Sequence, residues 1–184
     1  AMSGYSTEQV CTLPRLKRLD IELTYRCNNR CVHCSVNTPL NDSGQEHEID
    51  LQRIESVLQE ARIYGCRHLL LTGGEPLVRP DFAAIYRLAK QLKFDVTIFT
   101  NATLLADEHV QLFTEQPPGK PIEVTVYGMS PEKYEKVSRT PGSFAAAFAG
   151  MQRLLDAGIP IIVKGVRFDD NADDCEALRN WAAQ

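Results

Sequence analysis

The chain has 184 residues, 43% of them hydrophobic and 24% charged, with a formal net charge of −4. That is enough for one domain with a sizeable core, and the acidic balance argues against a non-specific nucleic-acid binder. No apolar run approaches the roughly 18 residues that a membrane span requires, and no secretory h-region is readable near residue 1, so no membrane partner is expected.

Residues 1–16 read as a polar lead-in arm, with Ala1-Met2-Ser3 resembling a cloning scar and Cys11 an isolated thiol. Residues 17–184 read as one domain. A first strand is expected over 18–25. The loop Cys27-Asn28-Asn29-Arg30-Cys31-Val32-His33-Cys34 follows it directly. Residues 35–49 are rich in turn formers and read as irregular. Asp50 then caps a helix over 51–64, whose buried face is set by Leu51, Ile54, Val57, Leu58 and Ala61 at helical spacing.

A strand–helix alternation continues from there. His68-Leu69-Leu70-Leu71-Thr72 is a continuous apolar run, as expected for a strand covered on both faces. Gly73-Gly74-Glu75-Pro76 turns into a helix over 81–92. A third strand over 96–100 leads to a helix over 105–115, and a fourth strand spans 122–127. Helices over 131–137 and 143–157 follow, the second capped by Ser143 and stopped by Gly158. A fifth strand over 159–164 and a helix over 172–183, capped by Asn171, close the pattern. Such alternation implies right-handed crossovers and a parallel sheet, either open and doubly wound or curved and barrel-like. In both cases ligands gather at the C-terminal strand ends. The cysteine loop, Gly73 to Glu75, Thr100-Asn101, Tyr127-Gly128 and Lys164 all fall on that edge.

Six cysteines without a secretory signal, three of them in one loop, point to a metal or cluster in a reducing compartment, and the cytoplasm is the expected location. From spacing alone, zinc and an iron–sulfur cluster both remain open. Zinc in a structural role wants a fourth ligand, and His33, Cys66 and Cys175 are poor candidates for it. A cubane held by three cysteines leaves one iron free to bind a small molecule. Glycines at 73 and 74 let the backbone approach a ligand closely, and Glu75 can accept from an ammonium group.

Taken together, the CxxxCxxC loop and the GGEP turn one βα unit later resemble the radical S-adenosylmethionine superfamily. Further segments are similar to it: Thr100-Asn101-Ala102-Thr103-Leu104, Val124-Thr125-Val126-Tyr127-Gly128, residues 130–144, and Gly158 to Lys164 with Asn171. The likeness is strongest to the peptide- and cofactor-maturing branch that often carries a cysteine-rich SPASM domain. It implies an α/β partial (βα) TIM-like barrel, with about five of the usual six units present and a C-terminal truncation that leaves one sheet edge open. It also implies an enzyme with two cofactors, a [4Fe-4S] cluster and S-adenosyl-L-methionine. Cys27, Cys31 and Cys34 would be the cluster ligands. His33, Gly73, Gly74, Glu75, Asn101, Thr125 and Arg139 would bind the cofactor, with Gly74 and Glu75 on the ammonium and Arg139 on the carboxylate. Implied partners are an electron donor such as flavodoxin or ferredoxin and a peptide or cofactor-precursor substrate, from which a 5′-deoxyadenosyl radical would abstract hydrogen. Ala102 stands where the family has glycine, and is expected to avoid a positive φ.

Two other readings compete: a zinc-binding structural module on the same fold, and a catalytically incompetent, partner-binding fragment of the family. Outside the motifs, Cys66 is expected to pack beneath the following strand. Cys175 is placed on the last helix, and His47, His68 and His109 lack paired-ligand spacing. Lys164 and Glu22 are expected either to face inward as a buried pair or to point to solvent.

Overall fold

The computed structural model describes residues 15–36, 38–40, 48–168, 171 and 173–183. The arm expected over residues 1–16 falls mostly outside these, as do Cys11 and His47. Seven strands and six α-helices are present among the described residues. β1 is Arg18–Glu22, followed by two short strands, β2 (Arg26–Cys27) and β3 (Thr38–Pro39), which pair in parallel. Helix α1 (Leu51–Ile63) leads to β4 (His68–Thr72), and α2 (Phe82–Gln91) to β5 (Asp95–Thr100). Next come α3 (Asp107–Glu115), β6 (Ile122–Val126), α4 (Pro131–Ser138), α5 (Ser143–Asp156), β7 (Ile161–Gly165) and α6 (Asp174–Ala182).

Five strands form one parallel sheet in the order β1-β4-β5-β6-β7. Each new strand is added on the same side of the last, so the sheet is singly wound. A doubly wound sheet would reverse direction part-way. This resolves the choice that periodicity left open. Right-handed crossovers repeated in one direction put the helices on one face. There Ile21, Leu69, Leu71, Val96, Ile98, Ile122, Val124 and Val126 join the buried core. Phe82, Tyr86 and Phe113 add a ring cluster, with Tyr86 and Phe113 centroids 5.2 Å apart. By strand alternation, Glu22, Thr72, Phe99, Glu123, Thr125 and Lys164 fall on the other face, which is markedly more polar.

Local chemistry accounts for most element ends. The Asp50 carboxylate accepts from the Arg53 N–H at 2.7 Å and starts α1. Ser130 accepts from Lys133 N and starts α4. Three expected details are different. Ser143 is the first residue of α5, not its cap: Gly142 occupies that position at φ +81. The Glu135 carboxylate takes the Gly142 and Phe144 N–H groups instead, while the Ser143 hydroxyl bonds Ser138 at 2.7 Å. Asn171 does not cap α6, whose N-cap is Asp173. It donates to the carbonyls of Tyr127 (2.6 Å) and Val166 (2.8 Å) and accepts from Phe168 N, pinning the end of β6 to the segment after β7. Its amide satisfies backbone groups beyond two strand ends, a long-range role that no local pattern encodes. Ala102 does adopt a positive φ, +62, and is fully buried. The Thr100 hydroxyl takes the Ala102 N–H at 3.0 Å and holds the turn.

Candidate active site

The cysteine loop is built by backbone contact between two strand ends. β1 stops at Glu22, short of the expected Tyr25, although Leu23 N still reaches Thr72 O at 2.8 Å. The chain then runs against the turn after β4: Gly74 N donates to Thr24 O at 2.7 Å and Glu75 N to Arg26 O at 2.9 Å. An ideal Cβ at Gly73 would lie 2.3 Å from Thr24 O, and one at Gly74 2.4 Å from Arg26 O. Gly73 also holds φ +143, which L side chains rarely adopt. Both glycines are therefore required by the approach of residues 24–26.

The loop is clipped on its far side to α4. Arg30 N and Val32 N donate to Ser138 O and Val137 O, each at 2.9 Å, using carbonyls that a helix C-terminus leaves open. Arg139, left-handed at φ 52, ends α4 and so frees those carbonyls. Arg139 was expected to reach a cofactor carboxylate. Instead its side chain is exposed and does not line the cavity described below, because the left-handed cap turns the residue outward.

Cys27, Cys31 and Cys34 line one cavity of about 340 Å³. His33, Gly73, Gly74, Asn101 and Thr125 share its wall, together with Glu22, Asn29, Thr72, Phe99 and Tyr127. The volume falls in the range of small-molecule sites. All three thiols are half-buried. Burial pushes the Cys27 thiol up to about 11, against the pull of the Asn29 N–H, and pushes Cys31 up as well. Such thiols ionise readily when a cation is there to take the thiolate. Among the described residues, no three His, Cys, Asp or Glu groups converge closely enough for a single metal ion.

Donors surround the sulfurs. Asn29 N lies 3.4 Å from Cys27 Sγ, and Asn101 Nδ2 lies 3.8 Å from it. Asn101 is itself held by Asn28 Oδ1 (3.0 Å) and accepts from Thr103 N (2.9 Å) and Thr103 Oγ1 (2.6 Å). Asn28 Nδ2 completes the ring by donating to Thr103 Oγ1 at 2.7 Å. Asn29 is 4% exposed and lines the cavity, and neither of its amide atoms has a hydrogen-bond partner among the described residues. A buried amide of this kind is costly unless a ligand completes it. Three thiols, inward N–H groups and an unpartnered amide fit a thiolate-bound group rich in acceptor atoms.

Glu75 is close by but does not face the cavity. Its carboxylate is fully buried and accepts from Thr100 Oγ1 (2.7 Å), Asn101 N (2.7 Å) and Leu77 N (3.1 Å). Burial raises it to about 7, with those three donors pulling the other way. Three of its roughly four acceptor positions are taken by the end of β5 and the Pro76–Val78 turn, so it positions Asn101. His33 is exposed, its ring edge-on to Tyr127 at 5.3 Å and near Phe168 at 5.5 Å.

Lys164 does not pair with Glu22. Its ammonium pairs with the Glu123 carboxylate on the neighbouring strand and lies 4.2 Å over the Phe99 ring. Cys66 is buried beneath β4, as expected, with its thiol 3.3 Å from His68 O. Cys175 lines a separate cavity of about 240 Å³ between β6, β7 and α6. Asn28, Asn29, Thr103 and the Tyr127 hydroxyl belong to the site but had no assigned role from the sequence. The available signals are the Asn-Asn pair between cysteines and the place of Thr103 and Tyr127 in segments at the strand ends.

The family model described as the radical SAM superfamily matches residues 21–182. The chain belongs to that superfamily, whose members use a [4Fe-4S] cluster and S-adenosylmethionine. Among curated relatives, a GTP 3′,8-cyclase of Pelotomaculum thermopropionicum is 30% identical over 160 residues, 83% of this chain and 48% of the relative. A PqqA peptide cyclase of Ruegeria pomeroyi is 29% identical over 165 residues, 90% of this chain and 43% of the relative. The chain thus spans about half the length of the curated relatives it matches. In fold it is similar to Streptococcus suis SuiB bound to S-adenosylmethionine, with a TM-score of 0.76 at 16% identity, covering 92% of this chain and 38% of SuiB. No helix among the described residues is long and apolar enough to cross a membrane.

Proposed function

We propose that this chain is the cluster- and cofactor-binding part of a radical S-adenosylmethionine enzyme that modifies a peptide or a cofactor precursor. The observation that carries this reading is the cavity itself. Cys27, Cys31 and Cys34 open onto the same space as the Gly73-Gly74 turn, Asn101 and Thr125, at the C-terminal edge of a singly wound parallel sheet.

In this reading Cys27, Cys31 and Cys34 would hold the [4Fe-4S] cluster, with S-adenosylmethionine bound beside it in the same cavity. When bound, the cluster supplies the single electron that cleaves the cofactor's sulfonium and starts hydrogen abstraction from substrate. The chain's own work is placement. Asn29 and Asn101 present N–H groups to the Cys27 sulfur. Gly73 and Gly74 bring bare backbone to the cavity wall, where their carbonyls can accept from an ammonium group. Thr125 and Thr72 offer hydroxyls from β6 and β4 for a carboxylate or ribose. His33 and Tyr127 supply ring surface beside the cysteines. A peptide substrate is supported by similarity to a PqqA peptide cyclase, and a nucleotide by similarity to a GTP 3′,8-cyclase.

The test is anaerobic reconstitution with iron and sulfide, followed by dithionite and S-adenosylmethionine. The expected outcome is a brown protein with about four irons per chain that releases 5′-deoxyadenosine, and loses both properties in the Cys27/Cys31/Cys34→Ala triple variant. A colourless protein holding one zinc and no iron would overturn the reading in favour of a structural module. A stable cluster without 5′-deoxyadenosine would assign the chain to a catalytically incompetent, partner-binding role.

A further inference from the structure

Tyr127 stands one residue beyond β6 and is 6% exposed. Its backbone carbonyl is fixed by Asn171 at 2.6 Å. Its ring is held between Tyr134, centroids 5.2 Å apart, and the edge of His33. Tyr134 is itself fully buried and packed on Phe144. With the ring fixed this way, the hydroxyl has little freedom to choose a partner. Its one hydrogen-bond partner among the described residues is Cys31 Sγ, at 3.3 Å.

The Cys31 thiol donates to the phenol oxygen. That direction cannot survive metal binding. A thiolate has no proton to give and can only accept, whereas a phenol can do either. The phenol must therefore become the donor to the Cys31 sulfur. Unlike the Asn29 N–H, this donor comes from outside the cysteine loop, from the residue just beyond β6. It reaches the middle cysteine, and its ring also seats the residue next to Cys34.

We propose that Tyr127 is a positioning residue for the cluster, donating its phenol O–H to the Cys31 thiolate and thereby raising the cluster's reduction potential. This rests on the proposal that Cys27, Cys31 and Cys34 hold a [4Fe-4S] cluster. The physical reason is charge. Reduction adds one negative charge to the cluster and its thiolates, and a donor on a sulfur stabilises the more negative state. A cluster that must reduce a sulfonium needs a low potential, yet one that its electron donor can still reach. One such O–H on one of three sulfurs is a means of setting that balance. The phenol also anchors Cys31 at the sheet edge, in the cavity that Gly73 and Gly74 line.

The test uses the reconstituted holoprotein and reads potential and spectroscopy, not turnover. Redox titration followed by electron paramagnetic resonance would compare wild type, Tyr127→Phe, and wild type carrying 3-fluorotyrosine at position 127. Pulsed resonance in D2O would count exchangeable deuterons coupled to the reduced cluster. The expected result is a potential more negative in Tyr127→Phe, with one exchangeable coupling lost and the iron content unchanged. In the fluorinated protein, whose phenol is a stronger donor, the potential should move the opposite way. Equal potentials and couplings in all three proteins would overturn the proposal. If Tyr127→Phe loses its iron, the fluorinated protein decides: a positive shift supports the proposal, and no shift overturns it. Failure of the underlying cluster assignment would look different, as absence of iron and of the resonance signal in wild type.

Discussion

Replacing Gly74 with alanine tests whether the cysteine loop is set by backbone contact. The substitution places a Cβ 2.4 Å from Arg26 O and 2.5 Å from Tyr25 O. Gly74 does not hold a positive φ, so alanine carries no conformational penalty of its own and the obstruction is purely steric. Restoring ordinary carbon–oxygen contact requires residues 25–26 to retreat by about 1 Å. That retreat strains two hydrogen bonds, Gly74 N to Thr24 O and Glu75 N to Arg26 O. It also disturbs the part-buried pair between Arg26 Nε and Glu48 Oε1 at 2.9 Å. At about 1 kcal/mol for each backbone bond, and more where a buried N–H is left without a partner, the loss sums to roughly 2–4 kcal/mol. With a urea slope of about 2 kcal/mol/M, the unfolding midpoint should fall by roughly 1–2 M. The assay is urea unfolding of the cluster-free, reduced protein by far-UV circular dichroism, with iron content after reconstitution as a second readout. Cys27 directly follows the displaced Arg26, so iron loading should fall too. Gly142→Ala is the control. Nothing lies within 4 Å of its Cβ, so it should cost only the strain of φ +81, about 1 kcal/mol, and leave iron loading intact. A Gly74→Ala protein with an unchanged midpoint and full iron would refute the view that this contact shapes the loop.

Glu75→Gln should destabilise by about 1–3 kcal/mol, because one of the Asn101 and Leu77 N–H groups must then face an amide N–H. The wild-type group's folded value, raised to about 7, gives stability that is fully present below the ordinary carboxylate range and lost as pH rises through about 7. The midpoints of the two proteins should therefore converge between pH 5 and pH 8, read by urea unfolding in buffers of about those values. A gap that widens with pH would show that the carboxylate is favoured in its ionised form. Asp81→Asn should cost about 1–3 kcal/mol near neutrality, since Arg79 donates to Asp81 at 2.6 and 2.8 Å. That guanidinium holds the Asp81 carboxyl below its usual range, so the difference should disappear as pH falls through the depressed value. Thermal unfolding across the acid range checks it, and a difference that persists at the acid end contradicts the pairing. Arg139→Gly keeps the left-handed cap and removes the exposed side chain. Affinity for S-adenosylmethionine by calorimetry should stay within about twofold of wild type, and a tenfold loss, about 1.4 kcal/mol, would return Arg139 to the binding site.

How much was readable from the chain differs between elements and contacts. The apolar run at Leu69, Leu70 and Leu71 and the helical spacing of Ile54, Leu58 and Ala61 placed β4 and α1 to within a residue or two. Periodicity is a local property, set by the pitch of each element, so burial on one side leaves its mark in nearby residues. The CxxxCxxC loop and the glycine pair were legible for a related reason, since their spacing is itself the chemistry. Element ends were less so. β1 was expected to run to Tyr25, but its last residues leave the ladder to contact the Gly73-Gly74 turn, which no local pattern records.

Side-chain partners in the site were decided across strands. The GGEP turn and its family resemblance place Glu75 at the cofactor edge but say nothing of its partners. The folded chain spends its carboxylate on Thr100 and Asn101, 25 and 26 residues away. Lys164 meets Glu123 because β6 and β7 are neighbours, with Thr125 opposite Lys164 in register, whereas β1, which carries Glu22, is at the far edge of the sheet. Ala102 accepts a left-handed φ because the Thr100 hydroxyl holds its N–H in a packed core. The sequence by itself determined which residue types gather at the strand ends: three thiols, two glycines and a set of small polar groups, placed by alternation and spacing. Only the tertiary structure decided which of them share a cavity wall, and that the Tyr127 hydroxyl meets the Cys31 sulfur. That contact depends on the distance between strands, which the chain sets only when it folds.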